Sequence, residues 1–99
     1  MTYDYSTEKE NGWDMLDLTL EDGKEIRGEF FDGTALENVP QDKYDYFLRH
    51  ADDDWSQPIG VKKNKGLTVN FLGSIVLDEP LDFGDKDELV VTDWGLVCD

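Results

Sequence analysis

Apolar and polar residues alternate most regularly between positions 14 and 31. Three leucines from Leu16 to Leu20 fall on one side of an extended chain, and the second half of the segment alternates in the same way. Asp22-Gly23 stands between the halves and is typical of a tight hairpin turn, because glycine tolerates a positive φ. The pattern predicts a β-hairpin with one apolar face and a second face that carries acidic side chains, Asp17, Glu21, Glu25 and Glu29.

Shorter patterns of the same kind follow along the chain. Alternating aromatic residues predict a strand over 44–50. Apolar runs predict further strands over 59–63, 67–77 and 88–92. Gly73 interrupts the second of these runs, which favours a bulge or a sharp bend at that position.

Polar segments separate the predicted strands. Residues 35–38 predict at most one helical turn, and the three aspartates that begin at Asp52 predict a loop that ends at Pro58. Six or seven short strands with at most one short helix indicate a mainly β fold, either a small antiparallel sheet or a partly open barrel.

The length of the chain and its aromatic residues set the domain organisation. A chain of 99 residues is expected to form one domain. Only 38% of the residues are hydrophobic, but twelve per cent are aromatic and each of these buries a large area. We expect a flexible acidic lead-in over 1–12 and a single β-rich domain over 13–99.

Acidic residues outnumber basic ones by far. The chain has 24 Asp and Glu against 9 Lys and Arg, a formal net charge of −15. Such a field repels nucleic acid and anionic membranes and attracts basic surfaces. The single cysteine, Cys98, permits no internal disulfide, and no apolar stretch has the length of a membrane span. These features predict a cytoplasmic protein that binds neither nucleic acid nor membrane directly.

Candidate catalytic chemistry is sparse. The only histidine is His50, and the sequence contains no nucleophile motif and no glycine-rich phosphate loop. The aspartates after Asp52 and those of 82–87 offer the oxygen ligands that Ca²⁺ and Mg²⁺ prefer, but consecutive residues of a strand point to opposite sides. The sequence therefore predicts a protein that is not an enzyme and that uses no metal or cofactor.

The acidic side chains are better suited to contact a basic protein. Alternate residues of a strand lie about 6.6–6.8 Å apart, close to the separation of successive phosphates along a DNA strand. Rows of carboxylates on strands are therefore able to imitate a phosphate track, and an aromatic neighbour is able to anchor the contact. The alternative to such a binding surface is that these acids form only the solvated face of a sheet. The residues predicted to bind a partner are Asp42, Asp45, Asp52, Asp53, Asp54, Trp55, Glu25 and Glu29.

The middle of the chain carries a longer motif. Its parts are Val39-Pro40, Tyr44-x-Tyr46-x-x-Arg49-His50-x-Asp52-Asp53, Val69-Asn70-x-x-Gly73-Ser74-Ile75 and Glu79-Pro80-Leu81. Over about residues 26–81 the chain resembles one of the large polyvalent protein-associated domains of phages and conjugative elements. It departs from that family at Phe71, where a histidine is common, and at Asp42-Lys43, where Gly-Leu is common.

The resemblance implies a viral or mobile-element origin. Together with the charge it leads us to expect an inhibitor of a host DNA-targeting defence nuclease, of the anti-CRISPR or anti-restriction kind, that acts in the host cytoplasm. Its expected partner is a basic DNA- or RNA-binding host protein. Two alternatives remain open: a small metal-dependent or His/Asp enzyme that uses His50 and Arg49, and a non-catalytic interaction module of a mobile element.

Overall fold

The computed structural model describes residues 2–10, 14–63 and 70–97. Within them, strands account for most of the residues and the one helix is short. In chain order the elements are β1 (Thr2–Asp4), α1 (Tyr5–Glu10), β2 (Met15–Leu20), β3 (Glu25–Asp32), β4 (Ala35–Glu37), β5 (Tyr44–Ala51), β6 (Asp54–Lys62), β7 (Phe71–Leu77) and β8 (Glu88–Val97).

Six of the strands form a closed antiparallel barrel in the order β2-β3-β7-β5-β6-β8, and β8 pairs with β2 to complete it. The mainly β prediction is confirmed, and the sheet is a closed barrel, where the sequence left an open sheet possible. The predicted hairpin is also confirmed, since Leu16 lies opposite Gly28 and Leu18 opposite Ile26. The closing pair of strands places Met15 opposite Val97.

The interior of the barrel holds the main core. Alternation along β2 points Leu16 and Leu18 inward, and each is 1% exposed. Leu48, Val61 and Ile75 meet them from other strands and are fully buried. Burial of each such side chain contributes roughly 1.5–3 kcal/mol, so the interior fixes which face of every strand points outward.

A second apolar cluster lies outside the barrel. Tyr5 of α1 packs on Phe31 with ring centroids 5.7 Å apart, and Leu36 and Val76 complete the cluster. The Tyr5 hydroxyl donates to Glu29 Oε1 at 3.0 Å. The pKa of the Tyr5 phenol lies well above its usual value. Burial is the main cause, and this hydrogen bond is the second.

The segment after β3 differs from the prediction. The sequence allows at most one helical turn over 35–38, but Ala35–Glu37 form β4, which pairs in parallel with β1, with Thr2 opposite Ala35. The helical turn is absent because a partner 33 positions away in the sequence supplies the strand pairing. Residues 1–12, predicted as a lead-in, contain β1 and α1.

Strand β7 is irregular near Gly73, as the sequence predicted. Leu48 lies opposite Gly73 and Arg49 opposite Phe71, so Leu72 has no partner of its own and β7 bulges. A β-carbon at Gly73 would overlap the backbone carbonyl oxygen of Phe31. The glycine therefore allows β7 to approach β3 closely. Residues 67–69 of the predicted strand lie outside the described residues.

The two ends of the barrel carry different segments. One end, the paired rim, is formed by the hairpin turn 21–24, the segment 40–43 before β5 and the connection 78–87 after β7. At the other end, the turn 52–53, the first part of β6 (54–57) and Asn70 form the acidic rim, and the end of β3 and the seam of β2 with β8 lie at the same end. In the described part of the chain, no helix has the length and apolar character that a membrane crossing requires.

Candidate protein-binding surface at the acidic rim

A three-residue bulge shapes the acidic rim. His50 lies opposite Pro58 and Ala51 lies opposite Asp54, so the residues 55–57 have no counterpart on β5. Pro58 was predicted to end a loop, but it lies within β6 opposite a buried residue. Bulges of this kind bend the chain and change the direction of a side chain at the edge of a barrel.

Hydrogen bonds within the chain hold the bulge in shape. Asp54 Oδ1 accepts from the Ser56 amide at 2.9 Å and from the Ser56 hydroxyl at 2.6 Å. Both bonds favour the ionised carboxylate and lower the pKa of Asp54 below its usual value. Asp54 is therefore a charged side chain whose position is set by its own neighbours.

Trp55 covers His50 at the mouth of the barrel. Their ring centroids are 3.7 Å apart, with the planes inclined by 37°. His50 is only 1% exposed, whereas Trp55 is 66% exposed. One face of the indole ring therefore rests on the histidine and the other is open to solvent.

The two ring nitrogens of His50 have different surroundings. Nδ1 carries a proton and donates it to the carbonyl oxygen of Ala51, which only accepts hydrogen bonds. Nε2 is buried and has no hydrogen-bond partner among the described residues.

The carboxylates of the acidic rim form no ion pair with a lysine or arginine among the described residues, although Arg49 attracts Asp52 at longer range. Asp52 accepts a hydrogen bond from the Asn70 side-chain amide, and Asp53 is exposed without one. The nearby Arg49 is paired with Glu88. The Glu88 carboxylate accepts hydrogen bonds from Arg49 Nε at 2.7 Å and from Arg49 Nη2 at 2.8 Å. Glu88 reaches Arg49 across Gly60, where a β-carbon would lie 2.5 Å from the Glu88 carboxyl carbon.

At the paired rim, lysines compensate part of the negative charge. Lys43 binds Asp78 at 2.5 Å, Lys62 binds Asp87 at 2.7 Å, and Lys86 binds Glu21 at 3.1 Å. The hydrogen bond that Lys43 donates to Asp78 is the main cause that raises the pKa of Lys43. Acidic side chains are thus abundant at both ends, but among the described residues the lysine ion pairs lie at the paired rim and none involves 52–54.

The other predicted contact residues lie away from the acidic rim. Asp42 precedes β5, and Asp45 lies near its start, about 23 Å along the chain from Asp52. Asp45 and Glu29 flank Val76 from opposite sides on the outer face of the barrel. The eight predicted residues therefore form no single row. Asp52 to Trp55 lie together at the acidic rim, whereas Glu29 lies near Asp45 across Val76 and near Asp42 beside Lys43.

Glu25 and Glu29 also fail to form a uniform acidic row. Arg27 lies between them on the outward side of β3 and binds Asp17 through two hydrogen bonds of 2.5 and 2.9 Å. This ion pair lowers the pKa of Asp17. The polar face predicted for the hairpin is thus mixed in charge.

Sequence reasoning missed the supporting residues of the acidic rim. Ser56 and Asn70 orient Asp54 and Asp52, and the Asp-x-Ser spacing is a usable signal for the first of these. No sequence signal predicts that Trp55 lies on His50. Among the described residues, no group of three or more Asp, Glu, His or Cys side chains is arranged to hold a metal ion.

Comparisons with known proteins identify one family. The curated proteins and the solved structures contain no significant match. The family model named large polyvalent protein associated domain 28 matches residues 30–98, which is more than half of the chain and includes β4 to β8. The resemblance predicted over about 26–81 is therefore confirmed. The chain belongs to the large polyvalent protein associated domain 28 family, a group of domains associated with phages and mobile elements.

Proposed function

We propose that this protein inhibits a host DNA-targeting defence nuclease by inserting its acidic rim into the basic cleft with which that nuclease reads DNA. The observation that carries the proposal is the set of carboxylates at 52–54, which form no ion pair with a described lysine or arginine and adjoin the exposed Trp55 in sequence. The target would be a CRISPR-guided nuclease or a restriction enzyme.

Electrostatics supports a basic partner. A net charge of −15 on a chain of this size creates a long-range field that steers positively charged surfaces toward the protein. Unpaired carboxylates add charge-assisted hydrogen bonds to Arg and Lys once contact is made. Carboxylates already engaged by lysines, as at the paired rim, offer less of both.

The rigidity of the acidic rim supports mimicry of a fixed phosphate array. The turn 52–53 joins two strands of a closed barrel, and Asp54 is held by Ser56. Side chains that are ordered before binding lose less conformational entropy on binding. Trp55 supplies the large, partly apolar contact that dominates many interfaces.

The family association supports a target in host defence. A domain associated with phages and mobile elements acts in a cell whose nucleases attack incoming DNA. An acidic protein that occupies the DNA-binding cleft of such a nuclease benefits the element that encodes it.

The burial of His50 Nε2 supports binding over catalysis, because a general base must reach the proton that it removes.

The test starts from a nuclease retained from a host lysate by the immobilised protein. The purified nuclease is then assayed for DNA cleavage and DNA binding with and without the protein. We expect inhibition that competes with DNA, and binding that weakens strongly between ~0.1 M and ~1 M salt as charges become screened. Binding that is unchanged across this range, or a partner that does not handle nucleic acid, would contradict the proposal.

A charge-reversal pair locates the interface. Asp52→Lys with Asp53→Lys is expected to abolish inhibition while the barrel remains folded. The matched control is Glu79→Lys with Asp85→Lys, which makes the same change in net charge with two exposed residues of the paired rim. Equal loss of inhibition in both double variants would show that total charge, and not the acidic rim, determines binding.

A further inference from the structure

The outward face of Trp55 has the surroundings of a receptor for one particular side chain. We infer that Trp55, with the carboxylates of Asp53 and Asp54, binds an arginine of the partner protein. The inference deepens the proposed function, because it names the group on the partner that the acidic rim recognises.

The position of Trp55 is fixed by the backbone and not by core packing. The bulge 55–57 is the three-residue surplus of β6 over β5, and it turns the indole back over the barrel mouth. The ring stays 66% exposed, so its burial contributes little to stability. An exposed tryptophan in a bulge is better explained by a ligand than by the core.

The His50 ring supplies a platform for Trp55. It occupies the inner face of the indole at a centroid distance of 3.7 Å, which leaves only the outer face for a ligand. Its buried Nε2, with no partner among the described residues, is unfavourable for stability. A platform that is not optimised for stability is typical of a functional position.

Charge selects a cation for the open face. Asp54 precedes Trp55 directly and is held ionised by Ser56, while Asp53 is exposed one position earlier. Arg49 is bound to Glu88, and no described lysine or arginine forms an ion pair with Asp53 or Asp54. A cation over the face of tryptophan is attracted by the ring, and adjacent carboxylates strengthen that attraction.

The combination favours arginine over lysine. A guanidinium is planar, weakly hydrated and able to stack on an aromatic ring while it donates to a carboxylate in its own plane. A lysine ammonium is strongly hydrated and has no plane to stack. Arginine is also the residue that most often reads guanine in the major groove through two parallel hydrogen bonds. A carboxylate beside an aromatic ring offers the same guanidinium a similar pair of acceptors.

The test compares oligoarginine and oligolysine peptides of equal length, with binding measured by calorimetry at a fixed salt concentration. The wild-type protein is expected to bind oligoarginine about two- to five-fold more tightly, the range typical of one exposed cation–π contact. In Trp55→Leu this ratio should fall to about one, and Trp55→Phe should restore part of it. The NMR signal of the Trp55 indole N–H should shift when oligoarginine is added.

The control is Tyr44→Leu, which removes an aromatic ring that is 38% exposed at the other end of β5. It should keep the wild-type ratio. Equal binding of the two peptides by the wild-type protein, an unchanged ratio in Trp55→Leu, or an equal loss in Tyr44→Leu would each overturn the inference.

The peptide experiment contains no nuclease, so its result is separate from that of the proposed function. If the protein prefers arginine through Trp55 but inhibits no nuclease, only the proposed function is contradicted. If it inhibits a nuclease but shows no such preference, only the arginine inference is contradicted.

Discussion

The two rims of the barrel are similar in acidity and different in compensation. At the paired rim, Lys43, Lys62 and Lys86 each bind a carboxylate of a neighbouring segment. At the acidic rim, Asp52 and Asp54 are held by neutral donors, Asn70 and Ser56. Hydrogen bonds from neutral groups orient a carboxylate but leave its charge in place.

This difference shows why a count of acids does not locate an interface. An ion pair within the protein offsets the charge of its carboxylate. The contact that we propose with a basic partner therefore falls at carboxylates that pair with no described lysine. The two rims belong to one rigid barrel, and substitutions at each are able to test whether the distinction holds.

The largest effect is expected from a substitution that disturbs the strands beneath the acidic rim. In Gly73→Ala, the new β-carbon overlaps the carbonyl oxygen of Phe31, which is backbone and cannot rotate away. We expect a loss of roughly 1–3 kcal/mol in the free energy of unfolding, measured by urea denaturation.

The control for this substitution is Gly95→Ala. A β-carbon at Gly95 in β8 would meet no atom within 4 Å. The change should be neutral or stabilising by up to about 1 kcal/mol, because alanine reduces the freedom of the unfolded chain. Equal effects at the two glycines would mean that β7 does not approach β3 as closely as described.

A smaller effect is expected from Asp54→Ala, which removes the hydrogen-bonded carboxylate of the acidic rim. The pKa of Asp54 in the folded protein lies below its usual 3.8, chiefly because Ser56 donates to the carboxylate. Its stabilisation is therefore present above about pH 4 and is lost as the pH falls through the folded-state pKa. The melting temperature of the variant should be slightly lower at neutral pH, and the difference from the wild type should narrow in acid.

Asp53→Ala is the control for the loss of one negative charge, since Asp53 is exposed and has no hydrogen bond in the described structure. Calorimetric scans at several pH values make both comparisons. A difference between Asp54→Ala and the wild type that persists unchanged into acid would show that Ser56 does not stabilise the ionised form.

The smallest effects should have opposite signs at the two rims. Lys62→Met removes the partner of Asp87 and should destabilise the protein at low salt, whereas Asp53→Asn relieves repulsion and should stabilise it. Each change should be within about 0.5 kcal/mol. Both should shrink between ~0.01 M and ~1 M salt, because the screening length falls from about 30 Å to about 3 Å. The same sign for both substitutions would remove the distinction between the rims.

The parts of the fold that depend on local pattern were predictable. The hairpin follows from the alternating leucines and Asp22-Gly23, and the aromatic alternation over 44–50 gives β5. Closure of the barrel was not predictable, because the pairing of β2 with β8 joins segments from opposite ends of the chain. The same reason explains why β4 was not predicted as a strand.

The candidate site was predictable in its composition but not in its arrangement. The aspartates at 52–54 and Trp55 stand together in the sequence, and the structure keeps them together. The separation of Asp42 and Asp45 from them follows from the length of β5, which an acid count ignores. Trp55 covers His50 only because β6 has three residues more than β5 between their paired positions, and register cannot be read from composition.

The pairing of Met15 with Val97 has a consequence for the assembly of the barrel. Cα atoms of directly opposed residues in antiparallel strands lie about 5 Å apart. The first and the last strand of the barrel therefore lie side by side. Their pairing joins positions 82 apart in the sequence, the longest separation among the barrel pairings, so this seam carries the largest entropic cost of closure.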